Sequence, residues 1–152
     1  GSAFCIRIPV VPAPEATTAT VPAFAPGMTL AGRQVLVIDD DADARAALAG
    51  LLEQWGCVVT VSDGSAVPSP HEPCPDVVLC DLHLGAGRSG MDLLDALSAR
   101  RGRPVRGVIV TADTAPERID EARARGHRLL HKPVRPARLR ALLEQIAGGD
   151  AT

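Results

Sequence analysis

Val35-Leu36-Val37-Ile38-Asp39-Asp40-Asp41 is the stretch whose reading decides the fold. Four apolar residues run without alternation into three consecutive carboxylates. A short strand that is apolar on both faces suits a buried place in a parallel sheet, and the acids then stand at its carboxyl end. Two more runs have the same form: Val77-Val78-Leu79-Cys80 meets Asp81, and Val108-Ile109-Val110 meets Thr111. A fourth, Leu129-Leu130-His131, meets Lys132-Pro133. In an open parallel α/β sheet, ligand chemistry collects at the carboxyl ends of the strands, so carboxylates, a hydroxyl and an ammonium are expected at one edge.

Lys132 carries a second signal, because the chain holds fifteen arginines and this single lysine. Lysine offers a compact, mobile point charge where arginine offers a planar, permanently charged fork. In a composition so biased towards arginine, a lysine at a strand end points to a site that needs an ammonium.

Helices fill the intervals. With Asp41 or Asp43 as cap, Ala44 to Trp55 places Ala47, Leu48, Leu51, Leu52 and Trp55 on one side and closes at Gly56. Cys57 to Val61 reads as the second strand. The next segment, Ser62 to Pro75, contains Pro68, Pro70, Pro73 and Pro75, which remove donors and restrict the residues before them, so no regular second helix is expected there. A Gly-rich loop, Gly85 to Gly90, leads into a helix through Leu93, Leu94 and Leu97. Thr114-Ala115-Pro116-Glu117 reads as a capping box opening a helix that stops at Gly126. Arg128 to His131 is the fifth strand, and Leu139, Leu142, Leu143 and Ile146 give a last amphipathic helix.

Taken together, Asp39-Asp40, Asp81, Thr111 and Lys132-Pro133 resemble the signature of response-regulator receiver domains over residues 33 to 147. Singly, Asp39 would be a loop acid, Thr111 a strand-end hydroxyl and Lys132 a solvated tip; their coincidence at successive strand ends carries the resemblance. It implies a flavodoxin-like (βα)5 doubly wound sheet of order 2-1-3-4-5, here with an irregular or shortened second helix. It implies that Asp81 accepts a phosphoryl group from a phosphohistidine. Mg2+ would be held by Asp40 and Asp81, by Asp39 through water and by the backbone carbonyl of His83, while Thr111 and Lys132 take phosphoryl oxygens. The implied partner is a histidine kinase or histidine phosphotransfer protein. His83 and Asp113, each two residues past a signature position, are placed to tune phosphoryl lifetime or water access.

This chain also departs from the family pattern. Many receivers carry an aromatic three residues before the lysine, whose inward rotation accompanies threonine movement, and Leu129 stands there instead. Gly85 replaces a common proline in a loop one residue longer than usual.

Composition bounds the rest. At 152 residues, 46% hydrophobic and 22% charged, one ordinary core is expected. Residues 1–10 read as a strand-like stub in which Phe4, Ile6 and Ile8 share a face: a solitary arm, or the end of a kinase ATP-binding domain. Residues 11–32 read as a Pro/Ala/Thr-rich linker, 33–147 as the receiver and 148–152 as a tail. The stub and the "HKPVRPARLRALL" run look like the C-terminal receiver of a hybrid sensor histidine kinase, with a stand-alone regulator as the alternative. No apolar run is long enough for a membrane helix and no signal pattern opens the chain, so a cytoplasmic segment without membrane contact is expected. Near-absence of aromatics argues against nucleic acid.

Charge is unevenly spread. Residues 1–80 hold three basic and nine acidic side chains, net −6, and residues 81–152 thirteen and nine, net +4. The Arg-rich fourth-to-fifth-helix face is a candidate homodimer surface, although solvated helices explain it as well. Cys5, Cys57, Cys74 and Cys80 lack the spacing of a zinc site, and Cys80 reads as a small buried hydrophobe. Two other classes remain. A haloacid-dehalogenase-like phosphohydrolase would use Asp39 and Asp41, two apart after the first strand; an interaction module would keep the fold without phosphorylation.

Overall fold

The computed structural model describes residues 30–69 and 73–148. The strand-like stub, most of the linker and residues 149–152 of the tail lie outside the described residues, as do Cys5 and His71. Leu30, at the described start, is buried against the core, and the Gly32 amide donates to the Gly56 carbonyl at 2.8 Å, so residues 30–32 pack onto the domain.

In chain order, β1 (Gln34–Ile38) is followed by α1 (Ala42–Gln54) and β2 (Val58–Ser62). After β3 (Val77–Asp81), a small antiparallel hairpin of β4 (His83–Leu84) and β5 (Arg88–Ser89) turns through a 3-10 segment, Gly85–Gly87. Then come α2 (Gly90–Arg101), β6 (Gly107–Thr111), α3 (Pro116–Ala124), β7 (Arg128–His131) and α4 (Pro136–Gly148). Five strands form one parallel sheet in the order β2-β1-β3-β6-β7, which is 2-1-3-4-5 when only the strands of that sheet are counted. No residue of 63–69 or 73–76 is helical, in keeping with the prolines there.

Strand alternation sorts the core into two layers. Val35, Val37, Leu79, Val108, Val110 and Leu130 face Leu48 and Leu52 of α1 and Leu139, Leu143 and Ile146 of α4. The residues between them, Leu36, Ile38, Val78, Cys80 and Ile109, face Met91, Leu94 and Leu97 of α2 and Ala122 of α3. Both faces of the central strands are therefore covered, which is why these runs are apolar without interruption. β2 is the exception: it is an edge strand, and Val58 and Val61 are 56% and 51% exposed.

Local chemistry sets the element ends. Asp41 caps α1, its Oδ1 accepting from the Asp43 and Ala44 amides at 2.9 and 3.3 Å. The capping box expected at Thr114 does not form. Asp113 Oδ1 takes the Ala115 amide at 2.8 Å, which shifts the helix start so that Ala115 becomes the cap and Pro116 the first residue.

Candidate functional site

The carboxyl ends of β1, β3, β6 and β7 bring the expected side chains to one edge. Asp39 is 1% exposed and Asp40, the next residue, is exposed, so a single strand end gives one buried and one accessible carboxylate. Asp81 enters from β3, and one oxygen from each of Asp39, Asp40 and Asp81 lies within 4.8 Å of the others. Three carboxylates this close repel one another, and a cation relieves the repulsion. Lys132 supplies one: its Nζ donates to Asp81 Oδ2 at 3.1 Å and to Asp39 Oδ2 at 3.2 Å. Partial burial pulls the Lys132 pKa down, but the hydrogen bonds and charges of Asp81 and Asp39 outweigh it and leave the ammonium above its ordinary value.

Thr111 is buried at the end of β6, its Oγ1 accepting the Asp113 amide at 2.9 Å. The Lys132 amide donates to the Thr111 carbonyl at 2.8 Å, which ties the hydroxyl-bearing strand to the ammonium-bearing loop. The peptide between Lys132 and Pro133 is cis. His83 stands on β4 with its side chain 67% exposed, and its Nε2 lies 3.8 Å from Asp113 Oδ2. His83 and Asp113 thus face each other at the rim. Asp41 does not join the acidic cluster, because its carboxylate is turned to the α1 amides.

Several supporting contacts were not visible in the sequence. Asp39 Oδ1 accepts the Asp41 amide at 2.9 Å, and Arg45 Nη1 donates to the Asp39 carbonyl, so the acidic turn is held from both sides. A Cβ on Gly90 would lie 2.0 Å from the Asp81 carbonyl oxygen, so only glycine allows α2 to begin this close to β3. Arg88 Nη1 donates to the carbonyls of Gly64, at 2.8 Å, and Ser65, which ties the hairpin to the segment after β2. An acid ahead of one helix, α1, and a glycine opening another, α2, are ordinary features, and nothing local in the sequence marks these contacts.

Among the described residues, Cys57, Cys74 and Cys80 take no part in the acidic cluster. Burial, with Asp81 and Asp39 nearby, pushes the Cys80 thiol up to about 12, and burial also raises Cys57. Cys74 accepts Arg103 Nη2 at 2.7 Å, ahead of the opposite, amino end of β3.

Sheet order and edge chemistry together define a doubly wound α/β domain with an acidic site at a topological switch point. The chain belongs to the response regulator receiver domain family, whose model matches residues 35–144. Among solved structures it is similar to NtrX from Brucella abortus, with 26% identity and a TM-score of 0.66 over 74% of this chain and 26% of that one. The chemotaxis protein CheY4 of Vibrio cholerae shares 23% identity, with a TM-score of 0.66 over 76% of this chain and 99% of that one. A two-component response regulator from Clostridium difficile shares 22% identity, with a TM-score of 0.70 over 79% of this chain and 99% of that one. The last two likenesses concern the fold. The chain spans about a quarter of the NtrX structure. No curated protein sequence matches it.

Proposed function

We propose that this receiver accepts a phosphoryl group on Asp81 from the phosphohistidine of a histidine kinase or histidine phosphotransfer protein. The observation that carries the reading is the Lys132 ammonium bridging Asp81 and Asp39 beside the accessible Asp40. A carboxylate is already ionised at neutral pH, so Asp81 needs no general base. Its oxygen forms a bond to phosphorus as the donor's P–N bond breaks, and the imidazole leaves with that electron pair and takes up a proton. Lys132 and the Thr111 hydroxyl each hold one oxygen of the transferred group, where charge is spread over the equatorial oxygens.

The donor set suits Mg2+: three hard carboxylate oxygens against one ammonium leave the cluster two negative charges in excess. Asp40 and Asp81 would hold the ion directly, Asp39 through water, and the His83 carbonyl would complete the protein ligands. When bound, the ion neutralises the carboxylates and the incoming phosphoryl oxygens. His83 and Asp113, paired at the rim, control the access of water to the acyl phosphate.

The receiver's context is a hybrid histidine kinase, for which the C-terminal run from Thr111 to Leu143 is the support. A homodimer through the α3 to α4 face has less to offer than the arginine count implied. Arg125 is committed to Asp92, Asp95 and Glu121, Arg118 to Glu121 and Arg140 to Glu144. The helix-capping role of Asp41 weighs against a haloacid-dehalogenase-like hydrolase, which would use it as the second acid.

Mg2+-dependent binding of fluoroberyllate, followed by 19F resonance, tests the reading. Wild type should bind the mimic, and Asp40→Asn should need at least tenfold more Mg2+. Binding that is indifferent to Mg2+ and to Asp40 would count against it.

A further inference from the structure

The Nδ1 of His131 is buried with no hydrogen-bond partner, one of two such side-chain atoms among the described residues. A buried polar atom left unpaired costs free energy, and native folds keep few of them. Its place makes this one informative. His131 is the register partner of Thr111 across β6 and β7. The pair one step earlier on the same side, Ile109 with Leu129, packs against the layer under α2 and α3. By strand alternation Thr111 and His131 stand side by side on that face, at its carboxyl end.

The neighbouring segment is itself a chain of turns. Thr111 Oγ1 holds the Asp113 amide and Asp113 Oδ1 holds the Ala115 amide, one residue before α3 begins. A displacement of the Thr111 hydroxyl therefore carries the whole segment from Thr111 to Ala115, and with it the start of α3. Leu129, two residues before His131 on the same face, has no polar group with which to follow such a movement.

We propose that His131 couples Thr111 to α3, its unpaired Nδ1 gaining a hydrogen bond to the Thr111–Ala115 segment when Thr111 turns to a phosphoryl oxygen. The inference rests on the receiver reading above and adds a positioning residue to it. The orphaned nitrogen is a cost borne in the unphosphorylated state and relieved in the phosphorylated one. His131 thereby favours the rearranged segment.

The test uses the full chain labelled with 15N, with the His131 ring assigned by its loss in His131→Asn. Mg2+ and fluoroberyllate are added, and binding of the mimic is read separately by 19F resonance. A bound 19F signal together with a shift of His131 Nδ1 from the unbonded to the bonded range is the expected result, with His127, already 3.2 Å from Asp95 Oδ1, unmoved. A bound 19F signal with an unchanged His131 ring overturns the inference and leaves the receiver reading standing. No bound signal removes both. As a second readout, His131→Leu should bind the mimic about threefold to tenfold more weakly than wild type, and His131→Asn within about twofold of it. Equal affinity for wild type and His131→Leu would overturn the coupling.

Discussion

Lys132 sets one positive charge between two carboxylates, and that single contact has a pH signature. Its folded pKa stands above the ordinary lysine value of about 10.4, so the pairing stabilises the fold fully below that pH and is lost as pH rises through the folded value. The difference in melting temperature between wild type and Lys132→Met, in chelator, should be constant from pH 7 to about 10 and shrink above it. A difference that grows with pH would reverse the assigned sign. Lys132→Arg should preserve the charge yet weaken the response to fluoroberyllate, since a planar fork does not replace a point charge contacting both Asp39 and Asp81. An unchanged response would remove the argument from lysine's rarity. At this scale the sequence was legible where chemistry and strand ends coincide, in Asp39, Asp40, Asp81, Thr111 and Lys132. It was silent about His131, because whether a strand-end histidine is paired depends on packing from other parts of the chain.

Elements carry their own tests, because two glycines in helices face opposite surroundings. A Cβ on Gly90 would strike the Asp81 carbonyl oxygen and the Cys80 Sγ, at 2.0 and 2.9 Å, so Gly90→Ala should destabilise the domain by about 2–3 kcal/mol and disturb Asp81. Gly50, within α1, has nothing within 4 Å of such an atom, so Gly50→Ala should stabilise by about 0.5–1 kcal/mol through helix propensity alone. Chemical denaturation of the two variants checks both signs. Helices and strands were readable from periodicity and prolines, including the irregular connection after β2. The β4–β5 hairpin was not, since two-residue strands offer no period to detect, and Ala86 takes φ 62° at its turn without being glycine. The misplaced capping box has a similar origin: Thr114 and Glu117 have the right spacing, but Asp113 already holds the Ala115 amide.

Across the whole molecule the sheet divides the core, and this predicts additivity. Leu52 and Leu94 are each fully buried, on opposite faces. Leu52→Ala and Leu94→Ala should each cost about 3 kcal/mol, and the double variant should equal their sum within about 0.5 kcal/mol, measured by urea unfolding. Marked non-additivity would mean that the two layers communicate through the sheet. Charge at this scale was the least legible feature. The sequence displays an arginine excess in its second half, whereas the fold spends much of it on pairs such as Arg125 with Asp92 and Asp95, which only tertiary structure brings together. The central claim, that Asp81 accepts a phosphoryl group, is tested most directly by intact mass. Wild type and Asp81→Asn would be incubated with Mg2+ and a small acyl-phosphate donor, with and without hydroxylamine. One hydroxylamine-labile phosphoryl group on wild type alone is the predicted result, and the same label on Asp81→Asn would contradict the account.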